Sequence, residues 1–269
     1  MNFDLNIILY IIFGVIPSLI WLFYFLKKDI HPEPNYMIIK VFLWGCLITI
    51  PVLFIQLGFT KIINIFSSED IDRLIIRPIS DLSSQNFWIV SAYWFLGIGF
   101  SEELFKYLIV RLRVVGRPEF DEPLDAMLYL IIAALGFTAV ENIFYILAPV
   151  GKFTFDVLIS RTLQLSFIRF VGGTFLHALC SGIVGYMLAI SLCKTKNKWL
   201  YTFIGLLIAT VLHGLFDFSI MGLEGDMKII IPITILITLA ILTSIGFEKL
   251  KGLKGLCSIK NLYGKQTQT

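Results

Sequence analysis

Two adjacent glutamates and a lysine, Glu102, Glu103 and Lys106, lie inside an apolar run that extends from Trp94 to Val110. An ionisable side chain at the centre of a bilayer costs about 2.5 to 3.5 kcal/mol, so such groups must face a protein interior or a wet cavity. Glu102 and Lys106 are four residues apart and can pair along one helix face, whereas Glu103 points about 100° away from Glu102. Carboxylates in this setting can act as general bases or as ligands of a metal ion.

Further ionisable and polar groups lie inside the apolar runs that follow. They are Glu141 and Asn142 in the next run, His177 in the one after it, and His213 and Asp217 in the third. Because His213 and Asp217 are four residues apart, an imidazole and a carboxylate share one helix face. This spacing suits either a histidine oriented by a carboxylate or two ligands of one metal ion.

Two chemistries suit this cluster of side chains. In the first, a buried glutamate acts as general base on a water molecule, and the histidines stabilise the oxyanion. In the second, the cluster holds a zinc ion, and Glu102 or Glu103 accepts the proton of the attacking water. The expected zinc ligands are Glu141, His177 and His213, with Asp217 as a further option. The residues leave both chemistries open, and both describe a hydrolase that acts on a bond within the membrane.

The composition is that of a polytopic membrane protein. Of the 269 residues, 57% are hydrophobic and only 15% are charged, and the mean hydropathy is +0.85. Such values are far from those of a soluble globular domain. The formal net charge of +3 is too small to indicate nucleic-acid binding. The expected surroundings are therefore the lipid bilayer.

Seven apolar runs are long enough to cross a bilayer, which takes about 20 residues. They cover residues 5–26, 36–58, 87–110, 125–148, 166–193, 199–218 and 228–247. The fifth run is long and is expected to tilt or break near Gly172 and Gly173, and the first part of segment 59–86 is expected to form a short interfacial helix. The predicted fold is an all-α membrane helix bundle with about seven transmembrane helices, and eight is the alternative count.

One membrane domain is predicted, because no linker or internal repeat divides the chain. It covers residues 1–248, with a catalytic core at 87–218, and it is followed by a basic cytoplasmic tail at 249–269. Lysine and arginine are concentrated in this tail and in the segments 27–40, 111–117 and 194–198. The positive-inside rule therefore predicts that the N-terminus is outside and the C-terminus is cytoplasmic. With this orientation the site is expected between the midplane and the outer face of the membrane.

The order and spacing of these residues resemble the PrsW family of bacterial intramembrane proteases, which is distantly related to the CAAX prenyl endopeptidase and Abi group. The residues that carry the resemblance are Glu102-Glu103-x-x-Lys106, Phe137-x-x-x-Glu141-Asn142, His177 in a Gly-rich helix, and His213-x-x-x-Asp217. The similarity extends from Trp94 to Asp217. Any one motif alone is weak, but four in the right order on successive runs make the resemblance specific.

The resemblance implies an intramembrane endopeptidase of the bacterial cell membrane. Its substrate would be a single-pass membrane protein, an anti-sigma factor, whose site-1 cleavage near the extracytoplasmic side starts regulated degradation and frees a sigma factor. Glu102 and Glu103 become the expected essential acids, with Lys106 and Asn142 in supporting roles. Glu141 stands where the prenyl endopeptidases have a histidine. Asp217 stands where they more often have an asparagine. A third carboxylate in place of histidine favours a metal site.

Two other functions remain open on the sequence. A proton-coupled transporter or channel would use the same carboxylates as a relay, although the inverted repeats typical of transporters are not found in the sequence. A CAAX-type prenyl-protein peptidase would act on a lipidated substrate, and no recognition signal for one is found. A zinc motif of the H-E-x-x-H type is excluded, since His177 is followed by Ala178 and His213 by Gly214.

Overall fold

The computed structural model describes residues 3–67, 69–147, 155–193 and 197–252. Within these residues the chain is helical, with short connections and no strand. The helices are α1 (Phe3–Leu26), α2 (Asn35–Phe66), α3 (Ile71–Leu74), α4 (Ser84–Ala92), α5 (Ser101–Arg113), α6 (Pro123–Leu147), α7 (Phe155–Val171), α8 (Gly173–Cys193), α9 (Lys198–Gly222) and α10 (Met227–Gly252). A 3-10 turn covers Ile79–Asp81, and a π-helical segment, Tyr93–Phe100, joins α4 to α5.

In the part of the chain that is described, six helical stretches are long and apolar enough to cross a membrane. They are Ile7–Leu26, Asn35–Phe66, Pro123–Leu147, Ile159–Cys193, Lys198–Gly222 and Met227–Gly252. Hydrocarbon offers no hydrogen-bond partners, so a spanning segment must satisfy its backbone groups internally, as a helix does. The prediction of an all-α polytopic membrane bundle is confirmed.

The third predicted span, 87–110, differs from these six stretches. It is helical throughout, because α4, the π-helical segment and α5 follow one another without interruption from Ser84 to Arg113. Its charged triplet is covered by the other helices, and none of Glu102, Glu103 and Lys106 is more than 3% exposed. The π-helical segment ends directly before this triplet, and π turns are frequent at functional sites.

The first or last residues of some predicted spans are wrong. α2 continues to Phe66, so the first part of segment 59–86 extends a membrane helix of 32 residues and does not form a separate interfacial helix. The fifth run begins earlier than residue 166, because α7 starts at Phe155. Its predicted break is confirmed, since α7 ends at Val171 and α8 begins at Gly173. Of the predicted tail, residues 249–252 belong to α10 and 253–269 lie outside the described residues.

The centre of the bundle is α6. Its residues from Pro123 to Ala139 are all buried, and α1, α2 and α8 pack around it. Two glycines let α2 and α6 come into backbone contact: a Cβ atom at Gly45 would overlap the carbonyl oxygen of Ala133, and one at Gly136 would overlap that of Phe42. Small residues permit such close helix contacts in membranes, where packing replaces the hydrophobic effect as the main attraction between helices.

A second close contact fixes the π-helical segment against α9. A Cβ atom at Gly99 would lie 2.9 Å from the carbonyl oxygen of Thr210, and one at Gly214 would lie 2.9 Å from Phe95 Cα. The two backbones therefore meet without side chains between them. This contact sets the distance between α5, which follows the π-helical segment, and α9.

Polar contacts join the connections at one end of the bundle, which the positive-inside rule assigns to the cytoplasm. His31 Nδ1 lies 3.3 Å from Glu122 Oε1, and the Tyr129 hydroxyl donates to Glu33 Oε2. Glu33 lies in the connection between α1 and α2 and is only 8% exposed. Burial raises the pKa of its carboxyl group, against the hydrogen bond from Tyr129, which lowers it. These contacts tie the α1–α2 connection to the start of α6.

The α2–α6 contact predicts the effect of adding one methyl group. Gly45→Ala should lower the free energy of unfolding by about 1 to 3 kcal/mol, because α2 must move away from Ala133. Gly58→Ala in the same helix is the matched control, since nothing lies within 4 Å of its added Cβ; it should be neutral or stabilise by up to about 1 kcal/mol. Thermal unfolding of the purified proteins in detergent checks both. Equal melting temperatures would contradict the contact.

Candidate active site

Helices α5, α6, α8 and α9 bring their ionisable side chains to one place in the bundle. The side chains that meet there are Glu102, Glu103 and Lys106 of α5, Glu141 of α6, His177 of α8, and His213 and Asp217 of α9. Asn142, the remaining residue predicted for the site, lies beside them on α6. The structure therefore gathers all the side chains that the sequence singled out.

Lys106 is the common neighbour of the cluster. Its Nζ lies 2.9 Å from Glu103 Oε1 and 3.4 Å from Glu102 Oε2. It also lies 2.6 Å from His177 Nδ1 and 4.5 Å from the centre of the Phe137 ring. The expected pair of Lys106 with Glu102 is present, and Glu103 pairs with Lys106 as well, because residues three and four positions away are both neighbours on a helix. Lys106 is fully buried, and it balances the charge of both glutamates.

His213 is oriented by Glu103. Its Nδ1 lies 3.0 Å from Glu103 Oε1, and since an ionised carboxylate only accepts hydrogen bonds, Nδ1 carries a proton. Its other nitrogen, Nε2, lies 3.3 Å from Asp217 Oδ2 and 3.8 Å from Glu102 Oε2. Ser181 donates to the second oxygen of Glu103 over 3.4 Å. Glu103 is thus held by three side chains, and His213 Nε2 faces Glu102.

His177 is oriented in the same way by Glu141. Its Nε2 lies 3.0 Å from Glu141 Oε2, and its Nδ1 lies 3.7 Å from Glu102 Oε2. The Lys106 ammonium group can only donate, so Nδ1 accepts from it and Nε2–H donates to Glu141. The two imidazole rings stand edge to face, with their centres 4.7 Å apart. Each histidine therefore bonds a glutamate through one nitrogen, and the other nitrogen lies within 3.8 Å of Glu102, next to Lys106 for His177 and next to Asp217 for His213.

Arg169 of α7 completes the surroundings of Glu141. It donates to Glu141 Oε2, and its Nε donates to Asn142 Oδ1 over 2.6 Å. Asn142 is fully buried and donates to Gly14 O and to Thr174 Oγ1, each over 3.1 Å. These bonds join α1, α6, α7 and α8 at the edge of the site.

Gln56 of α2 is a contact that the sequence analysis missed. Its Nε2 donates to Glu102 Oε1 over 3.0 Å. It stands inside the second apolar run, and a lone amide in such a run is the sequence signal that could have identified it. Because amides within membrane helices form hydrogen bonds to other helices, the same reasoning that selected Asn142 applies to it.

A cavity of about 310 Å³ opens beside the cluster, between α2, α6 and the π-helical segment. Its polar lining includes Gln56, Glu102, Glu141 and Asp217. Its outer wall includes Leu53, Phe144 and Tyr145, which are between 39% and 49% exposed. Glu103, His177 and His213 are not part of the lining. The cavity therefore joins the bundle surface to the carboxylates while the histidines stay covered.

Three of the side chains present donor atoms at the spacing of a metal site. One ligand atom each from Glu102, His177 and His213 lies within 4.8 Å of the other two, and all three residues are buried. The predicted ligand set has Glu141 in the place of Glu102. In the structure Glu141 is bonded to Arg169 and to the far nitrogen of His177. The geometry thus groups Glu102 with the histidines and puts Glu141 on the outer side of His177.

Comparison with protein families adds an independent observation. The model of a family described as the PrsW family intramembrane metalloprotease matches residues 33–245. This region covers more than half of the chain and contains the whole site. The chain belongs to the PrsW family of intramembrane metalloproteases. The resemblance seen in the sequence is thereby confirmed, and the chain is a peptidase of a multi-pass membrane protease family.

Curated PrsW relatives are similar over most of their length. Protease PrsW of Clostridioides difficile is 30% identical over 241 residues, which are 88% of this chain and 88% of the relative. Protease PrsW of Oceanobacillus iheyensis is 28% identical over 224 residues, 83% of this chain and 88% of the relative. Protease PrsW of Bacillus subtilis is 28% identical over 223 residues, which are 81% of this chain and 86% of the relative. No solved structure matches the chain.

The position of Lys106 predicts the result of removing its charge. Lys106→Met should lower the free energy of unfolding by about 3 to 5 kcal/mol, because it leaves Glu102 and Glu103 buried without their cation. Lys251→Met is the control, since Lys251 pairs with Glu248 at the protein surface, where ion pairs add little. Chemical unfolding in detergent measures both. Unchanged stability of Lys106→Met would contradict a central role for the ammonium group.

Proposed function

We propose that the chain makes the first cut in a membrane-anchored anti-sigma factor, at a peptide bond near the extracytoplasmic side of the membrane. The observation that carries this proposal is a largely buried cluster of four carboxylates and two histidines that meets the bundle surface through one cavity. Glu141 lies six residues before the end of α6, or roughly 9 Å, and His213 nine residues before the end of α9, or roughly 14 Å. With the N-terminus outside, these ends face the extracytoplasmic side, which supports cleavage there.

The donor set supports zinc as the metal of the site. Glu102, His177 and His213 would hold it through the carboxylate, His177 Nδ1 and His213 Nε2. His177 Nδ1 accepts from Lys106 over 2.6 Å in the structure, so metal binding would replace this hydrogen bond. A carboxylate and two histidines form a known catalytic zinc set, with bonds of about 2.0 to 2.2 Å, so that donors at the corners of a tetrahedron lie roughly 3.3 to 3.6 Å apart. The separations of 3.7 and 3.8 Å from Glu102 Oε2 to His177 Nδ1 and His213 Nε2 are close to this value.

The two other glutamates suit an orienting role. Histidines that bind a metal usually donate their second nitrogen to a carboxylate, which fixes the tautomer and the direction of the ring. Glu103 does so for His213, and Glu141 does so for His177. Glu102 or Glu103 was expected as the base, and of these two Glu103 is therefore better placed as a positioning residue. A zinc ion, when bound, polarises the substrate carbonyl and makes water a stronger nucleophile at neutral pH.

Asp217 is the carboxylate best placed to transfer protons. It lines the cavity beside Glu102, its side chain is 25% exposed, and its one described ion-pair partner is His213. Glu103 and Glu141 are each bonded to a cation and a histidine. The Asp217 carboxylate would accept the proton of the attacking water and return it to the amine that leaves when the peptide bond breaks.

The substrate would meet the site as an extended segment. Within a helix, each peptide carbonyl is bonded to the N–H four residues later and is surrounded by side chains. A scissile bond in the cavity must be released from such a helix, and its backbone groups then need new partners. The Gln56 amide, which lines the cavity, can supply one. This requirement suits the part of a substrate near the end of its membrane helix.

Metal content separates the proposed roles. Glu102→Gln and His213→Ala should lose bound zinc, whereas Asp217→Asn should keep it and lose cleavage. Glu103→Gln should bind zinc about 10- to 100-fold more weakly, because an orienting carboxylate is removed.

Glu248→Gln, at the surface, is the control. Elemental analysis of the purified proteins and a chelator titration of cleavage measure these effects. A metal-free, chelator-resistant enzyme would exclude the metal site, and loss of zinc in Asp217→Asn would overturn its role.

Co-expression with single-pass anti-sigma factors tests the substrate. The wild-type protein should generate a shortened fragment, with the cut mapped by mass spectrometry to the extracytoplasmic end of the membrane helix. Glu102→Gln and Asp217→Asn should leave the substrate intact while they accumulate in the membrane at normal levels. A cut on the cytoplasmic side, or cleavage that persists in both variants, would contradict the proposal.

A further inference from the structure

A second cavity lies at the other end of the bundle from the active-site opening. It has a volume of about 390 Å³ and is bounded by α5, α8 and α9. α8 and α9 are in close contact, since a Cβ atom at Gly205 would lie 2.7 Å from Met187 Cβ. α5 forms the opposite wall through Tyr107 and Arg111. Nothing in the proposed mechanism uses this cavity.

Two cations stand at its rim. Arg111 comes from the last turn of α5, and Lys198 is the first residue of α9; both are exposed. Among the described residues, no carboxylate lies within 4 Å of either one. The free N–H groups at the start of α9 add to the positive potential at Lys198. The rim therefore carries two positive charges without an acidic partner in the described chain.

Polar groups next to the cations can donate hydrogen bonds. The Tyr107 side chain lies beside Arg111, and Thr202 also lines the cavity. Ser191 lines it too, but its hydroxyl donates to Lys198 O over 2.7 Å. The Trp199 ring lies at the rim and is 72% exposed. Tryptophan and tyrosine are enriched at the level of lipid headgroups, where their rings have an apolar body and a polar edge. The rim has the composition of a site at the membrane surface.

The rest of the cavity lining is apolar. It consists of Leu188, Leu192, Phe203 and Leu206. Leu206 lies eight residues after Lys198, so the lining changes from cationic to apolar over roughly 12 Å of α9. A soluble anion would leave this apolar half without a partner. A molecule with an anionic head and a hydrocarbon chain matches both halves.

We propose that this cavity binds an anionic phospholipid of the cytoplasmic leaflet. Arg111 and Lys198 would hold the phosphodiester group, and an acyl chain would lie along Leu188 and Phe203. Charge complementarity decides the class of lipid: a zwitterionic headgroup carries no net charge to balance two unpaired cations. Basic pockets between membrane helices on the cytoplasmic side are known to take anionic headgroups.

The lipid would join the helices that carry the active site. α5 holds Glu102 and Glu103, α8 holds His177, and α9 holds His213. A phosphodiester bonded to both Arg111 and Lys198 spans the gap between α5 and α9 at their cytoplasmic ends. Because a ligand that binds only the folded protein stabilises it, the anionic lipid should raise the melting temperature more than a zwitterionic lipid does.

Quenching of tryptophan fluorescence tests the proposal on the full-length protein in detergent. Brominated phosphatidylglycerol and brominated phosphatidylcholine are titrated in parallel, and a Trp199→Phe variant identifies the share of the signal that Trp199 gives. The wild-type protein should be quenched at Trp199 by phosphatidylglycerol at much lower mole fraction. At about 1 kcal/mol for each basic residue near the surface, Arg111→Gln/Lys198→Gln should weaken this binding about 30-fold.

The matched control is Arg113→Gln/Lys249→Gln, which removes two charges from the same face without altering the cavity lining. It should keep the selective quenching. Equal loss in the control would show unspecific attraction to the membrane surface and overturn the proposal, as would equal quenching by the two lipids or unchanged binding in the cavity variant. Competition by inorganic phosphate would also overturn it, in favour of a soluble anion. Because the readout is lipid binding, the outcome is independent of the proteolytic activity.

Discussion

A buried ammonium group is the interaction on which the arrangement of this molecule depends. Lys106 lies within 3.4 Å of two carboxylates on its own helix and within 2.6 Å of a histidine on another. Charges in a membrane interior are retained only when each has a partner, and the adjacent glutamates have theirs in this one lysine. Helices α6, α8 and α9 must then approach closely enough to cover all three side chains, which explains why glycines mark so many of their contacts.

The two histidines follow from the same constraint. Each bonds a carboxylate with one nitrogen, so each ring is held in one orientation by a group from a different helix. The other nitrogens lie within 3.8 Å of Glu102, which lines the cavity and accepts a hydrogen bond from Gln56. The buried charged side chains therefore also hold potential metal-ligand atoms in fixed orientations. The stability of the bundle and the chemistry of the site depend on the same side chains.

The sequence predicted the members of the site because charges inside apolar runs are rare enough to be counted one by one. It also predicted the break at Gly172, where two glycines interrupt a long run. It did not predict the π-helical segment, nor its backbone contact with α9 at Gly99 and Gly214, which joins residues distant in sequence. Nor could spacing assign the roles of Glu102, Glu103 and Glu141: which oxygen meets which nitrogen depends on the packing of four helices. Gln56 was missed because it stands between Ile55 and Leu57 with no charge beside it, whereas Asn142 directly follows Glu141.

The position of Pro51 in α2 connects the shape of the cavity to the hydrogen bond between Gln56 and Glu102. The helix is fixed against α6 at Gly45, and Pro51 follows six residues later, where the missing N–H removes one backbone hydrogen bond. Gln56 stands a further five residues along, roughly 7.5 Å beyond the proline. A tilt of about 10° of this outer half would move the amide by about 1.3 Å, enough to break its 3.0 Å bond to the carboxylate. Because Leu53 and Gln56 both lie beyond this proline and line the cavity, a tilt of the outer half of α2 would change the shape of the cavity and break the bond to Glu102 together, without any shift of α8 or α9.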